Sequence, residues 1–441
     1  MRGGGGRGGG ALVPLAAAAL LGGCGGDRAA GADRLTLELA NRAGYAEAHL
    51  EEGVLAPYEL AHPGLRVMQQ SAAASQTAYR ERVLTAIAAG APPDVFLLDD
   101  SDVPTFTGRG QVLDLAPYLL RLGVDLQRYD PTVLSVFTRG GAVYALPQGY
   151  TPIVVAYNKD LFDRAGLPYP NDDWTWDDFK RIAKLLTRDT DGDGQIDQWG
   201  TAFERRPFLW IPWLWSGGGD VLCADGRRAT GCLDSPATVE AIRWYTGWVT
   251  KDSIGGGGTR GDNLRLFAAG KVAMLTVGHF WIPIFRPYLE QHRLRIGFAE
   301  IPHRVGVPPA TVVYASGLAV PALAPHRKRS VELAAYLADS LAQMIRARAG
   351  LELPSLASVA ESLAARDTLG WEQVFLRATQ HARAPWGARI EQWREVEAAL
   401  PDLMDRVTIR GDDPAVAAHE VAQAIDRVLG AGGSGGPGTP R

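Results

Sequence analysis

The segment from Tyr144 to Gly200, YALPQGYTPIVVAYNKDLFDRAGLPYPNDDWTWDDFKRIAKLLTRDTDGDGQIDQWG, constrains the fold more tightly than the rest of the chain. Thr175 with Asp178 three residues later is a capping-box pattern, in which each side chain satisfies an otherwise orphan backbone donor. Trp174 and Phe179 stand at the positions of a hydrophobic staple. Phe179, Ile182, Ala183 and Leu186 recur at i, i+3, i+4 and i+7, so the predicted helix has one apolar face to bury. Ahead of it, Pro147-Gln148-Gly149-Tyr150 reads as a polar, aromatic turn leading into an apolar strand, Ile153 to Tyr157.

Towards the N-terminus, Leu35 to Ala40 alternates like a strand and runs out into Asn41. A helix is predicted over Thr77 to Ala89, with Tyr79, Val83 and Ile87 on one face and Gly90 as its stop. Asp94 to Leu98 is then a buried strand by its continuous apolar run, emerging at Asp99-Asp100-Ser101-Asp102. Strand, helix, strand is the order of a parallel sheet flanked by helices. Ligands of such sheets bind outside the carboxyl ends of the strands, where Asn41, Asp99 and Asp100 fall. The same aspartates, with Asp102, also suit a solvated helix N-terminus, where carboxylates are favoured.

At 441 residues the chain exceeds the ~250–300 at which single cores split, so two lobes are expected. The formal net charge of −4, without a basic stripe, argues against nucleic acid as a partner. Arg2, Arg7 and the apolar run Ala11 to Leu21 read as a signal peptide, too short for the ~20 residues of a membrane span. Cys223 and Cys232 bracket a turn-rich loop and, in an exported chain, read as a disulfide stapling a hairpin. A metal site there is disfavoured, since no His is near to complete a ligand set.

The 144–200 segment, read as lPqgytp…vaYNkdlFdraGLP…WtWddFkriAklLT.D.DGDG..dqwG, resembles the extracellular solute-binding proteins of ABC importers, the carbohydrate receptors that include maltose-binding protein. Phe267 to Met274 resembles the family's "F.aGkvAM" pattern, and the resemblance extends over roughly residues 35 to 428. It implies an α/β, two-lobe periplasmic-binding-protein-like fold of type II. Each lobe is then a mixed or parallel sheet flanked by helices, with the ligand cleft between them. The expected division is a lipoprotein signal peptide at 1–24, a linker at 25–34, lobe 1 at 35–147 plus 312–353, and lobe 2 at 148–311 plus 354–429. Crossings lie near Pro147, Val312 and Leu353, and a disordered tail spans 430–441. Leu21-Gly22-Gly23-Cys24 resembles a bacterial lipobox, which implies Cys24 as the lipidated first residue of the mature chain.

Sugars present flat apolar C–H faces and hydroxyl rims, so exposed rings for the faces and carboxylates or amides for the rims are the side chains to seek. Pockets of this kind are mostly apolar with a few placed polar groups. In the run Phe203 to Asp220, the resemblance turns Trp210 and Trp213 toward the cleft, although core packing is the alternative for each Trp there. It places a sugar-stacking aromatic two residues after Gly278, at Phe280, with Trp281 beside it, and Tyr314 and Ser316 at the cleft floor. Tyr150 and Trp386 complete the candidates. Trp244 and Trp248 are read as core and His279 as a packed polar group, while Trp393 is a late cleft candidate whose helical spacing with Val396 and Leu400 favours core. One helix is expected from Ser330 through Val331 to Ile345, and a last one opening at Asp413-Pro414.

Asp189, Asp191, Asp193 and Asp197 resemble the front of an EF-hand loop, yet the twelfth position is Gly200, which offers no bidentate carboxylate. A structural calcium and a metal-free turn both remain open, and no cofactor is required. The implied protein is a monomeric, extracytoplasmic lipoprotein, not an enzyme, held to the membrane by its lipid alone. It would hand a sugar or oligosaccharide to ABC-transporter permease subunits. The alternatives are a receptor for a non-sugar solute such as glycerol phosphate or a polyamine, and a secreted glycoside hydrolase. The hydrolase would need two carboxyl groups ~5–9.5 Å apart, and no G-x-S-x-G, H-E-x-x-H or P-loop motif is present.

Overall fold

The computed structural model describes residues 34–71, 75–256, 262–291 and 293–432. The expected signal peptide and lipobox lie outside these residues, as does the linker apart from Arg34. The fold is mixed α/β in two lobes. Strands β1 (Leu35–Asn41), β2 (Leu65–Ser71) and β3 (Val95–Asp99) form a parallel set with β1 in the middle. They are joined by helices Tyr45–Ala61 and Gln76–Ala88, which are the crossovers that parallel neighbours require.

The sheet continues through β4 (Ala145–Asn158), β5 (Trp199–Ala202), β6 (Val272–Gly278), β7 (Ile296–Ala299) and β8 (Thr311–Ala319). Its order is β2-β1-β3-β8-β4-β6-β5. β8 runs antiparallel to both β3 and β4. β4 is a continuous 14-residue strand, so the expected turn at Pro147 to Tyr150 is instead its first half. Residues 145–152 of β4 pair with β8, and residues 153–158 pair with β6 and β7. One strand therefore belongs to the sheets of both lobes. Leu353–Pro354 adds antiparallel to β4 at Tyr150 and Gly149, so all three expected crossings lie side by side.

This crossing is tight enough to dictate residue type. A Cβ on Gly149 would stand 2.7 Å from the Glu352 Cβ, and one on Gly317, beside the register shift at Ser316, would press on Ala145 and the Phe137 ring at 3.0 Å. Protein interiors are close-packed and have no slack for such atoms.

The helix anticipated after Trp174 is Trp176–Leu186, with its capping box formed by Thr175 and Asp178 and the Trp174 and Phe179 rings 5.7 Å apart. Its apolar face meets Trp213, Trp244 and Trp248, with Phe179 lying 5.0 Å from Trp213 and 4.9 Å from Trp248. The run Pro207–Ser216 is itself helical: Pro207 opens it, where a missing N–H costs nothing, and Pro212 is carried inside it. Apolar nearly all round, this helix is buried at every position but Phe208. The second lobe's core is this aromatic cluster. It is continuous with one face of the first lobe's sheet through Tyr79, Phe96 and Phe106, whereas Leu37, Val67, Val95, Val331 and Leu337 form a separate core on the other face.

Other boundaries shift. The helix expected from Ser330 to Ile345 is two, Arg327–Leu337 and Ser340–Arg348, broken at Ala338-Asp339, where Asp339 adopts extended backbone. The last helix, Pro414–Gly432, continues past the expected start of the tail at Gly430. Cys223 and Cys232 are disulfide-bonded, with Cα atoms 5.3 Å apart, but the segment they close is a turn-rich loop without strands rather than a hairpin. Among the described residues no helix is long and apolar enough to cross a membrane.

Thiol labelling of denatured, unreduced protein is expected to leave Cys223 and Cys232 unmodified. Reduction should lower unfolding stability by at most about 2–3 kcal/mol, the chain-entropy value for a loop of this length. Labelling at both positions in unreduced protein contradicts the bridge.

Candidate functional site

A cavity of about 620 Å³ opens at the carboxyl ends of β1 and β3, against the middle of β4 and β8. Asn41 is the last residue of β1 and Asp99 the last of β3. Ser316 of β8 pairs across from Asp99, and Gly149 of β4 across from Ser316. The strands and the turn after β3 thus bring Asn41, Asp99, Asp100, Tyr150, Tyr314 and Ser316 to the lining of one cavity, the first three as the strand order anticipates. Phe280, just beyond β6, joins them with its ring 37% exposed.

The remaining candidates are corrected. Trp210 and Trp213 are 0% and 1% exposed and do not line the cavity. Their indole N–H groups donate to the Arg205 carbonyl (3.1 Å) and to Thr276 Oγ1 (3.1 Å), so both rings are satisfied within the core. Trp281 is buried behind Phe280, with the Arg206 guanidinium 5.3 Å from its ring. Trp386 is 2% exposed, donates to Asp220 Oδ1 at 2.7 Å, and is covered by the Arg389 guanidinium 3.8 Å from its ring. Its neighbours Pro385 and Gly387 line the cavity instead, together with Trp393, a cleft candidate for which core packing was the favoured alternative.

Sequence reasoning also missed Arg42, Gln76, Phe208, Arg346, Glu352 and Glu397. Phe208 had a signal, since it stands two residues before Trp210 on the same helix. Its ring meets Tyr314 edge-on at 6.0 Å, and the Tyr314 hydroxyl donates to its carbonyl at 3.1 Å. Glu352 sits beside the expected crossing at Leu353, where it accepts the Ser316 hydroxyl at 2.9 Å.

The cavity's charges are unevenly matched. Arg42 donates to Asp99 Oδ1 at 2.6 Å, and Arg346 is bound by both carboxylate oxygens of Glu51. Both lining guanidinium groups are therefore already paired. Asp100 Oδ2 accepts the Ala315 amide at 2.8 Å, and Glu397 has no hydrogen bond or ion pair among the described residues. Burial pushes the Asp100 carboxyl up to about 8, with Asp99 and Asp102 adding to the rise against the Ala315 amide. Burial also raises Asp99 against Arg42, Glu352 against its Ser316 hydrogen bond, and Glu397 against the field of Arg394. Asp102 does not line the cavity and is held by Arg394 at 2.6 Å.

In the Asp-rich turn, Asp189, Asp191 and Asp193 bring carboxylate oxygens within 4.8 Å of one another, all exposed. Asp197 is not one of that group and accepts from Thr190. Asp189 accepts the amides of Gly192 and Gly194, which lowers its pKa, and Asp193 accepts that of Gln195. The donor set suits a hard cation, and the turn is also hydrogen-bonded through its own backbone.

Two lobes sharing continuous strands around a lined cavity define a ligand-binding receptor fold. The chain belongs to the bacterial extracellular solute-binding protein family, whose model matches residues 40–344. A similar solved structure is the ABC substrate-binding protein from Listeria monocytogenes in complex with cycloalternan, at a TM-score of 0.78 and 22% identity, covering 90% of this chain and all of that one. A protein from Mycobacterium tuberculosis in complex with glycerophosphocholine has a TM-score of 0.76 at 20% identity, covering 90% of this chain and 99% of that one. Among curated relatives, a putative binding protein of Brucella abortus is 28% identical over 229 residues, 50% of this chain and 52% of its own. The chain spans about half the length of the curated relatives it matches first. At these identities the solved structures establish the fold, and the family is one of binding proteins.

The Asp100 carboxyl gives a pH signature. Its folded value near 8 lies above the unfolded 3.8, so between them the native state holds a proton that the unfolded state has lost. Its contribution to stability therefore falls as pH rises from about 4 to 8. Asp100→Asn, which keeps an acceptor for the Ala315 amide, should gain stability over the parent across that window, on the order of 1 kcal/mol per pH unit. Thermal melts from pH 4 to 8 test this, and a difference that does not change with pH contradicts it.

Proposed function

We propose that this protein is the extracytoplasmic, lipid-anchored receptor of an ABC importer, capturing a sugar or oligosaccharide between its lobes for delivery to the permease subunits. The observation that carries the ligand class is the cavity's composition. Exposed ring surface at Phe280, with Phe208, Tyr314 and Trp393, lies among the amides and carboxylates of Asn41, Gln76, Gln148, Asp99 and Asp100. Rings suit the apolar sugar faces, and acceptors suit the hydroxyl rims. Its volume falls within the ~300–1,000 Å³ usual for small-molecule sites.

Glycerol phosphate is the less favoured reading. A phosphate is held most strongly by charged donors, and both guanidinium groups lining the cavity are engaged by carboxylates. The division into lobes at 35–147 plus 312–353 and 148–311 plus 354–429 makes the adjacent crossings in β4, β8 and Leu353–Pro354 the hinge. A ligand drives closure only by binding the closed state better, and the permease would read that state. The lipid anchor rests on Leu21 to Cys24. The turn at Asp189 to Asp197 is read as an element held by its own backbone, Asp189 accepting the Gly192 and Gly194 amides and Asp193 that of Gln195.

A thermal-shift screen over mono- and oligosaccharides tests the ligand class, since a ligand at 100 times its dissociation constant stabilises by about 2.7 kcal/mol. Stabilisation by glycerol phosphate and by no carbohydrate contradicts the proposal. With a bound sugar in hand, Phe280→Ala should weaken affinity roughly ten- to a hundredfold with a near-normal melt, given ~1.5–3 kcal/mol for a buried ring. Trp213→Ala should instead cost ~3–5 kcal/mol of stability. Calorimetry and melts on the same samples separate the two outcomes, and the reverse pattern refutes the assignment. For the anchor, Cys24→Ala should leave the protein released or unprocessed, whereas unchanged membrane partitioning contradicts it.

A further inference from the structure

The loop closed by the bridge between Cys223 and Cys232 packs against the segment that forms one wall of the cavity. Pro385 and Gly387 line that wall, and the Trp386 indole between them is buried and donates to Asp220 Oδ1 at 2.7 Å. The same oxygen accepts the Val221 amide at 2.7 Å, two residues before Cys223. From the loop itself, the Ala224 carbonyl accepts from Arg389 at 2.8 Å, and the Arg389 guanidinium lies 3.8 Å from the Trp386 ring. Gly226 is buried at φ +69°, and a Cβ there would stand 2.9 Å from Ile390 Cγ2 and 3.4 Å from Trp386 Cζ3. The far side of the loop is fixed by Asp426 of the last helix, which accepts the Ala229 and Thr230 amides.

The wall is one short turn, in which the amides of Ala388, Arg389 and Ile390 donate to the carbonyls of Pro385 and Trp386. Its other side meets the first lobe. A Cβ on Gly387 would stand 3.1 Å from Ser101 Cα, and Arg139 donates to the Ala388 carbonyl. Ser101 lines the cavity too, so the seating of this turn sets the spacing of two lining backbones. Recognition needs such groups held within about 0.5 Å by the residues behind them. Behind this turn stands a loop without strand or helix, whose shape depends on tight turns and on covalent closure. Cross-linking removes conformations that an open loop would sample.

We propose that the disulfide loop 223–232 is a positioning element of the binding site. It sets the wall at Pro385 and Gly387 through Trp386 and Arg389, so that solute affinity depends on a bridge that does not itself line the cavity. The inference rests on the reading of this cavity as the solute site, and it gives the bridge a role in recognition besides stability.

Hydrogen–deuterium exchange of the ligand-free full chain tests the coupling without any solute. Two variants are compared with the parent: Cys223→Ser with Cys232→Ser, and Arg389→Ala, which keeps the bridge and alters an exposed side chain. In both, amides over 386–390 should exchange about tenfold faster, while those of Ile153 to Tyr157 keep the parent rate. Arg389→Ala should also speed exchange over 223–228, since coupling between two sites is reciprocal. A rise confined to 221–233 in the serine variant makes the bridge a staple of its own loop and overturns the inference. Parent rates at 386–390 in both variants, or a rise spread over every peptide, overturn it as well. Calorimetry with maltotriose, cellotriose and glycerol 3-phosphate reads the consequence. A probe that binds the parent should bind each variant on the order of tenfold more weakly, because a loosened wall must be ordered on binding. Combining all three substitutions should weaken it no further than the serine pair, as expected of residues acting through one route. Unchanged affinity in both variants overturns the inference. Binding of glycerol 3-phosphate and of neither sugar overturns the sugar reading alone, because the exchange pattern and that probe's affinities still decide whether the bridge sets the wall.

Discussion

The structure depends on the antiparallel pairing of β4 with β8. Both strands run through the boundary between the lobes, so a single hydrogen-bonded ladder positions the two walls of the cavity. Side chains crowd this ladder at two points where only glycine fits, Gly149 against Glu352 and Gly317 against Ala145 and Phe137. The ladder also fixes the site's register: Ser316 stands opposite Asp99 on one side and Gly149 on the other. A one-residue slip in such a ladder would turn every cavity-facing side chain to the opposite face.

Around that ladder, aromatic and charged residues are sorted by burial. The indoles of Trp210, Trp213 and Trp248 fill the second lobe's core, and the cavity instead receives Trp393, smaller rings and carboxylates. This division separates stability from recognition. The core rings can be changed only at a cost in folding, whereas Phe280 and Glu397 stand free of the packing and can be changed for their effect on ligand. The paired guanidinium groups of Arg42 and Arg346 hold their carboxylates in place and leave the cavity's balance acidic.

What was legible in the sequence follows the range of the interactions. The capping box at Thr175 and Asp178, the staple, the bridge between Cys223 and Cys232, and the strand ends at Asn41 and Asp99 are local signals, and the structure contains each of them. The family resemblance supplied the two-lobed order. The indoles were misplaced because a Trp beside a cleft and a Trp in a core have the same local sequence. Only the packing of Phe179 and Trp248 against Trp213 decides between them. Glu397 was invisible for a related reason. It lies on the helix Trp393–Asp405, some three hundred residues from Asp100, and only the folded chain brings both to the lining of one cavity. The turn expected at Pro147 was lost because residues with turn character are tolerated in a strand whose neighbours on both sides need that close approach.

The central claim is that the cavity between β1, β3, β4 and β8 is where the solute binds. A crystal structure of the protein with a stabilising carbohydrate tests it most directly. The account predicts ligand density in that cavity, with polar contacts to Asp99 and Asp100 and a ring contact to Phe280. Density for the sugar elsewhere on the protein, with this cavity holding only solvent, would contradict it.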